Sequence, residues 1–120
     1  MSIDRSKMVR TIHMLTELLC SRRLDEIVEA TRGVRLSADE MEAALDHYGF
    51  VLCPMTEDEI DSRLGSDDHV FPIADARPAA WAVDVPLADV SHKNDLTLSL
   101  RLIDAPGSYY SVEVDDLHIL

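Results

Sequence analysis

Basic residues are scarce in this 120-residue sequence: 11 Lys and Arg face 23 Asp and Glu, which gives a net charge of −12 and a pI near 4.6. Nucleic-acid affinity comes mainly from Lys and Arg that displace counterions, so this deficit excludes a typical nucleic-acid ligand. No apolar run approaches the roughly 20 residues that span a bilayer, and the first residues lack the apolar stretch of an export signal. We therefore expect a cytoplasmic protein that binds neither nucleic acid nor membrane.

Motifs of catalysis and metal binding are also missing. The two cysteines, Cys20 and Cys53, form no C-x-x-C pair and are interpreted as small core residues. No H-E-x-x-H, His-x-His or Cys/His spacing joins the five histidines, so neither a metal site nor a cofactor is predicted. The four glycines form no phosphate loop, and no serine lies in a nucleophile elbow. We therefore expect no catalytic residues, and the sequence favours partner binding over enzymatic chemistry.

Apolar periodicity predicts helices in the first half of the chain. Between residues 4 and 23, apolar residues recur at spacings of three and four, namely Met8, Ile12, Leu15 and Leu19. A shorter amphipathic helix is predicted over 24–32, with Gly33 as its stop. The capping box Ser37-Ala-Asp-Glu40 opens a third helix that ends at Gly49. Three N-terminal helices are therefore expected.

The middle of the chain, residues 50–80, is predicted to be mainly a connector. Its first part, Phe50–Cys53, is an apolar run before Pro54 and is interpreted as a buried strand or an extended segment. A second capping-box pattern starts at Thr56 and predicts two helical turns over 57–64. A short extended piece is expected near Val70–Ile73.

Alternating polarity predicts antiparallel strands in the last third. The inward sets are Trp81, Val83, Val85 and Leu87; Leu96, Leu98, Leu100 and Leu102; and Tyr110, Val112 and Val114. The parity then changes, which indicates a β-bulge at Asp115-Asp116, and Pro86 places the end of its strand at an edge or a bulge. We predict one α+β domain over 1–120, in which the three helices of 1–49 pack on a three- to four-stranded antiparallel sheet within 81–120.

An acidic segment in the connector is the candidate partner-binding site. Six acids and Arg63 give it a net charge of −5 over twelve residues; the acids are Glu57, Asp58, Glu59, Asp61, Asp67 and Asp68. Residues 1–35 carry +2 and residues 36–120 carry −14, so the negative charge is concentrated in the later part of the sequence. The segment is interpreted either as a solvated surface or as a patch that steers a basic protein partner.

Two other functions remain open from the residues alone. Asp84 and Asp116, or Asp95 and His118, would form an acid–base pair if they met across the sheet, as in a small-ligand-binding protein or enzyme. Alternatively, the chain is a self-associating module, such as a homodimer, whose strand edges are protected by Pro86 and the charged bend.

The C-terminal third resembles an uncharacterised family of small bacterial α+β domains. The resemblance rests on Trp81-Ala-Val-Asp84-Val-Pro-Leu87, Asn94-Asp-Leu-Thr-Leu-Ser-Leu100 and Tyr110-Ser-Val-Glu-Val-Asp-Asp-Leu-His118, and it covers about residues 35–120. It brings no known activity or catalytic residues. The order of helices and bent strands is also similar to the nuclear-transport-factor-like fold, and the compact acidic character is similar to that of bacterial immunity proteins. The similarity to immunity proteins implies that the chain inhibits a partner toxin domain with a basic surface.

Overall fold

The computed structural model describes residues 2–31, 36–65 and 68–119. Its helices are α1 (Arg5–Cys20), α2 (Leu24–Ala30), α3 (Ala38–Tyr48) and α4 (Glu57–Leu64), and its strands are β1 (Val70–Pro72), β2 (Ala80–Pro86), β3 (Leu96–Ile103) and β4 (Ser111–Ile119). The strands form one antiparallel sheet in the order β1-β2-β3-β4. The α+β class and the antiparallel sheet are confirmed, with α4 as a fourth helix beside the three N-terminal ones. The prediction that the sheet lies within 81–120 is wrong for β1, which comes from the connector.

Side-chain caps mark where α1, α3 and α4 begin, whereas α2 has no side-chain cap. Asp4 accepts a hydrogen bond from the amide of Lys7 at the start of α1. Ser37 and Glu40 form the reciprocal capping box of α3, which ends at Gly49 with a φ of +81°. Glycine adopts this left-handed conformation without steric cost, so the stop predicted at Gly49 is confirmed. The stop predicted at Gly33 lies outside the described residues.

The core lies between the helices and one face of the sheet. Helical side chains that are almost fully buried there include Met8, Ile12, Leu15, Leu19, Met41, Ile60 and Leu64. They pack with the inward residues of the strands, among them Val83, Val85, Leu98, Leu100, Leu102 and Val112. The opposite face of the sheet, called the outer face below, carries polar side chains at the alternate positions, for example Asp84, Ser99 and Glu113.

The bulge predicted at Asp115-Asp116 is present in β4. Leu100 pairs with Val114 and Ser99 pairs with Asp116, so Asp115 has no residue opposite it in β3. This extra residue keeps both Val114 and Leu117 on the core side despite the change of parity.

Of the two interpretations of Phe50–Cys53, the extended segment is confirmed and the buried strand is wrong. Phe50 is 40 % exposed and Val51 is 69 % exposed, whereas Leu52 is buried. The segment is an extended connector with a single bridge from Leu52 to Asp89, because no neighbouring strand continues the ladder. An apolar run alone did not distinguish a core strand from a surface connector.

Candidate functional site

The acidic segment forms α4, and two apolar side chains decide which of its residues face outward. Ile60 and Leu64 are completely buried and attach α4 to α1 and β2. Thr56 caps the helix, its hydroxyl accepting a 3.2 Å hydrogen bond from a first-turn amide. Acids in the first turn interact favourably with the N-terminal end of the helix dipole, so Glu57 and Asp58 suit the helix and remain exposed.

A groove of about 420 Å³ separates α4 from α1 and is called the acidic groove here. It is lined by Glu57, Asp58 and Asp61 from α4 and by Arg5, Ser6 and Val9 from α1. Its volume lies within the range of roughly 300–1,000 Å³ that is typical of ligand sites. The acidic groove is therefore large enough to receive a side chain of a partner protein.

Arg5 neutralises one end of the acidic groove. Its Nε donates to Oδ1 of Asp61 at 2.5 Å, and its Nη2 donates to the backbone carbonyl of Asp61 at 2.9 Å and to that of Gly65. The guanidinium thus satisfies carbonyl groups at the C-terminal end of α4, which is the negative end of the helix dipole. The charge of Asp61 is already compensated within the chain.

Glu57 and Asp58 are the uncompensated acids of the groove. Neither carboxylate takes part in an ion pair or a hydrogen bond with another residue of the described ranges. Both line the groove from the first turn of α4, beside the apolar Val9 of α1. Val9 is a core residue and only 6 % exposed, so a cationic group that entered the groove would meet mainly the two carboxylates.

The remaining predicted site residues do not line the acidic groove. The Glu59 carboxylate lies 3.4 Å from the hydroxyl of Thr56, at the helix cap. The carboxylate of Asp68 lies beside Gly65, so close that a Cβ atom added to this glycine would be 3.4 Å from Oδ2 of Asp68. Asp67 lies outside the described residues. The structure therefore brings together Glu57, Asp58 and Asp61, and places Glu59 and Asp68 around them.

The bases of the N-terminal part are mostly engaged within the molecule. Arg10 donates to the carbonyl of Ser108 at 2.8 Å, and the Lys7 ammonium donates to the carbonyl of Ala105. Arg22 pairs with Asp46 at 2.9 Å. Acids also lie on α2, α3 and the outer face, so negative charge is spread over several surfaces. Asp25, Asp39 and Glu42 of α2 and α3 line a smaller depression of about 170 Å³. What distinguishes α4 is the larger volume of the groove beside its acids, about 420 Å³, which composition did not predict.

Three of the four residues in the alternative hypothesis, Asp84, Asp116 and His118, lie on the outer face. Ser99 donates to Asp84 at 2.8 Å across β2 and β3, and His118 lies 3.1 Å from the Asp116 carboxylate on β4. Asp95 lies in the loop before β3, where its amide donates to the hydroxyl of Tyr48. Within the described ranges, no group of three or more His, Cys, Asp or Glu side chains is arranged to hold a metal ion.

Both cysteines are free and partly buried. Burial, followed by the charges of Glu17 and Cys53, raises the pKa of the Cys20 thiol to about 11. Because the thiolate is the nucleophilic form, Cys20 is held in its unreactive state at neutral pH.

Asp89 is a buried polar centre that the sequence did not indicate. It is 1 % exposed, and its Oδ1 accepts from the amide of Ser91 at 2.8 Å and from the Ser91 hydroxyl. Its Oδ2 accepts from Tyr48 and from the amide of Asn94 at 3.2 Å. Burial by itself raises the pKa of this carboxyl, but the hydrogen bonds from Ser91, Tyr48 and Asn94 outweigh burial and hold the pKa below 3.8. The sequence signal that could have indicated this turn is the pair Asp89 and Ser91 before a polar loop, because an Asp side chain commonly accepts from the backbone amide two residues later.

Comparison with known proteins places the chain in a family without assigning an activity. No curated protein and no solved structure shows significant similarity to it. None of the described helices has the length and apolar character needed to cross a bilayer. The family described as "Domain of unknown function (DUF7668)" matches residues 16–120, further toward the N-terminus than the resemblance seen in the strands. Since this match covers most of its length, the chain belongs to the DUF7668 family, which is consistent with an uncharacterised family of α+β domains.

Proposed function

We propose that this chain is a protein-binding inhibitor, an immunity protein that neutralises a toxin domain with a basic surface. The observation that carries the proposal is the pair of uncompensated carboxylates, Glu57 and Asp58, at an open groove of about 420 Å³. A Lys or Arg side chain of the partner would enter the groove and meet both carboxylates with its charged end. Charge-assisted hydrogen bonds of this kind are stronger than neutral ones.

The charge of the whole molecule supports the same proposal. A net charge of −12 attracts a cationic partner before contact, and such steering raises association rates by roughly ten- to a thousandfold. Enzymes that act on phosphate-containing substrates carry basic active sites, because cationic groups stabilise the charge on the phosphate. An acidic protein that covers such a site blocks substrate entry. This is the chemistry by which the acidic groove would inhibit a toxin.

The proposal expects a neighbouring gene to encode a secreted polypeptide, and the C-terminal domain of that polypeptide is the partner to test. Expression of that domain should stop growth of a bacterial host, and co-expression of this chain should restore it. Binding kinetics with a catalytically inactive form of the domain then examine the groove. Reversal of both acids, Glu57→Lys with Asp58→Lys, should slow association at least tenfold at low salt and flatten its salt dependence.

The matched control reverses two acids on α3, Asp39→Lys with Glu42→Lys, and changes the net charge by the same amount. It should retain most of the association rate, because these residues lie away from the acidic groove. Equal losses in the two double variants would show that net charge alone drives binding, and the groove would be eliminated as the contact site. A domain that remains toxic in the presence of the chain would contradict the immunity role itself.

A further inference from the structure

A second groove lies on the outer face, at the end of the sheet where the β1–β2 and β3–β4 connections meet. Its volume is about 540 Å³. Ala80, Ile103 and Ser111 are direct neighbours across β2, β3 and β4 and line its base. The small side chains on both sides of Ile103 leave room above the sheet. We call this depression the arginine groove, because Arg77 and Arg101 also line it.

We propose that the arginine groove binds a small carboxylate with an apolar body. Two arginines supply N–H donors in the planar arrangement that matches a carboxylate. Pro78 and Pro106 contribute apolar surface from the two connections that border the groove. The groove therefore combines an apolar lining with a few charged donors, as small-molecule sites commonly do.

Arg101 is the central residue of this proposal. It lies directly opposite Glu113 on β4, yet no ion pair joins the two side chains in the described part of the chain. Its Nε is buried and makes no hydrogen bond to any described residue. In a chain with twice as many acids as bases, a partly buried arginine with an unsatisfied donor is unexpected. An anion held by the guanidinium would supply the missing counter-charge.

The charges around the arginine groove favour a monoanion. Its lining contains Arg77, Arg101 and the single carboxylate Asp104, which together carry +1. A carboxylate ligand carries −1 and balances this charge, whereas a phosphate monoester carries about −1.5 to −2 and would experience repulsion from Asp104. The arginine groove shares no lining residue with the acidic groove, so ligand binding there does not depend on the proposed inhibition.

Titration of ¹⁵N-labelled protein with sodium benzoate, followed by NMR, tests the proposal. We expect saturable shifts of the Arg101 Nε–Hε resonance and of the amides of Ile103 and Ser111. Benzamide, which has the same shape without charge, should cause no such shifts, and phenyl phosphate should bind more weakly than benzoate. Arg101→Gln should weaken benzoate binding about tenfold, equivalent to about 1.4 kcal/mol, near the lower limit for hydrogen bonds to charged groups.

Lys93→Gln removes a base from the β2–β3 loop and serves as the matched control, with unchanged benzoate affinity expected. Arg77→Gln gives a second groove variant in case Arg101→Gln disturbs folding, and it should also weaken binding. Absence of saturable shifts with benzoate, or equal shifts with benzamide, would overturn the proposal. So would full benzoate affinity in both groove variants, and tighter binding of phenyl phosphate would refute the preference for a monoanion.

Discussion

At the scale of single residues, Asp89 stands out because it is the only buried Asp, Glu, Lys or Arg in the described part of the chain. Its carboxylate connects the end of α3 with the β2–β3 loop, because it accepts from Tyr48 and from Ser91 and Asn94. The backbone on either side of Asp89 joins a third segment, since Ala88 accepts from the amide of Cys53 and Val90 donates to the carbonyl of Val51. A buried charge is costly unless hydrogen bonds replace its hydration. Here both carboxylate oxygens accept two hydrogen bonds each, so the charged form is the one that the fold requires.

Asp89→Asn should destabilise the protein by about 1–3 kcal/mol, because the amide NH₂ would face N–H or O–H donors at one of the two oxygen positions. Urea unfolding at pH 7, followed by circular dichroism, measures the change. Asp75→Asn is the matched control, since this exposed residue has a φ of +60°, a conformation that Asn adopts readily. An Asp89→Asn protein as stable as the control would show that the network contributes little.

The stabilising effect of Asp89 should depend on pH. Its pKa in the folded state is lower than the ordinary value of 3.8, so the unfolded chain binds the proton more readily. The contribution is therefore complete above about pH 4 and decreases as the pH falls through the folded-state pKa. The difference in unfolding free energy between wild type and Asp89→Asn should shrink below pH 3.8. The other carboxyl groups are the same in both proteins, so their contribution cancels in this difference. A difference that grows on acidification would contradict this assignment.

At the scale of elements, local signals predicted the fold and non-local contacts determined the site. Caps and alternation depend on residues a few positions apart, so α3, β3 and the β4 bulge could be recognised from the sequence. The acidic groove depends on Arg5, which is 56 residues before Asp61 in the chain. Nothing in the sequence indicates that these two meet. The sequence likewise does not show that the Nε of Arg101 has no hydrogen-bond partner among the described residues, because this depends on the side-chain conformations of Arg101 and Glu113.

Deletion of Asp115 should preserve the fold. Asp115 is the extra residue of the bulge, so its removal leaves Val114 opposite Leu100 and Asp116 opposite Ser99 in an uninterrupted ladder. We expect a change of no more than about 1 kcal/mol in unfolding free energy, within the usual range for peripheral changes. The straightened edge strand should self-associate more readily, because bulges protect exposed edges. Urea unfolding and sedimentation velocity measure the two effects.

Deletion of Glu113 is the informative comparison for the bulge. It also shortens β4 by one residue, but it shifts Asp115 to the core position opposite Leu100 if the rest of the register holds. An unpaired carboxylate in the core costs about 3–5 kcal/mol, so this variant should be largely unfolded or strongly destabilised. Similar losses in the two deletion variants would show that the bulge is required and that the proposed regular ladder does not form.

At the scale of the whole molecule, the net charge of −12 opposes compactness while it favours association with a cationic partner. Intramolecular pairs such as Arg5–Asp61 and Arg22–Asp46 offset only part of this repulsion, and both are exposed surface pairs of the kind that contribute little. The same carboxylates that would steer a partner therefore reduce the stability of the free protein. Binding a basic surface would relieve that repulsion, so affinity and stability are linked through the same charges.

Salt should consequently stabilise the free protein. Raising NaCl from about 0.1 M to 1 M shortens the Debye length from about 10 Å to 3 Å and screens the repulsion among the acids. We expect a gain of about 1 kcal/mol in unfolding free energy, or a rise in Tm of about 3–6 °C for a domain of this size. A variant in which exposed acids outside both grooves are replaced, Glu29→Gln with Glu42→Gln and Asp75→Asn, should be more stable at low salt and gain less from added NaCl. A fall in Tm with salt would mean that the ion pairs outweigh the repulsion. If added NaCl raised the Tm of the variant as much as that of the wild type, the effect would come from general salting-out rather than from screening of charge.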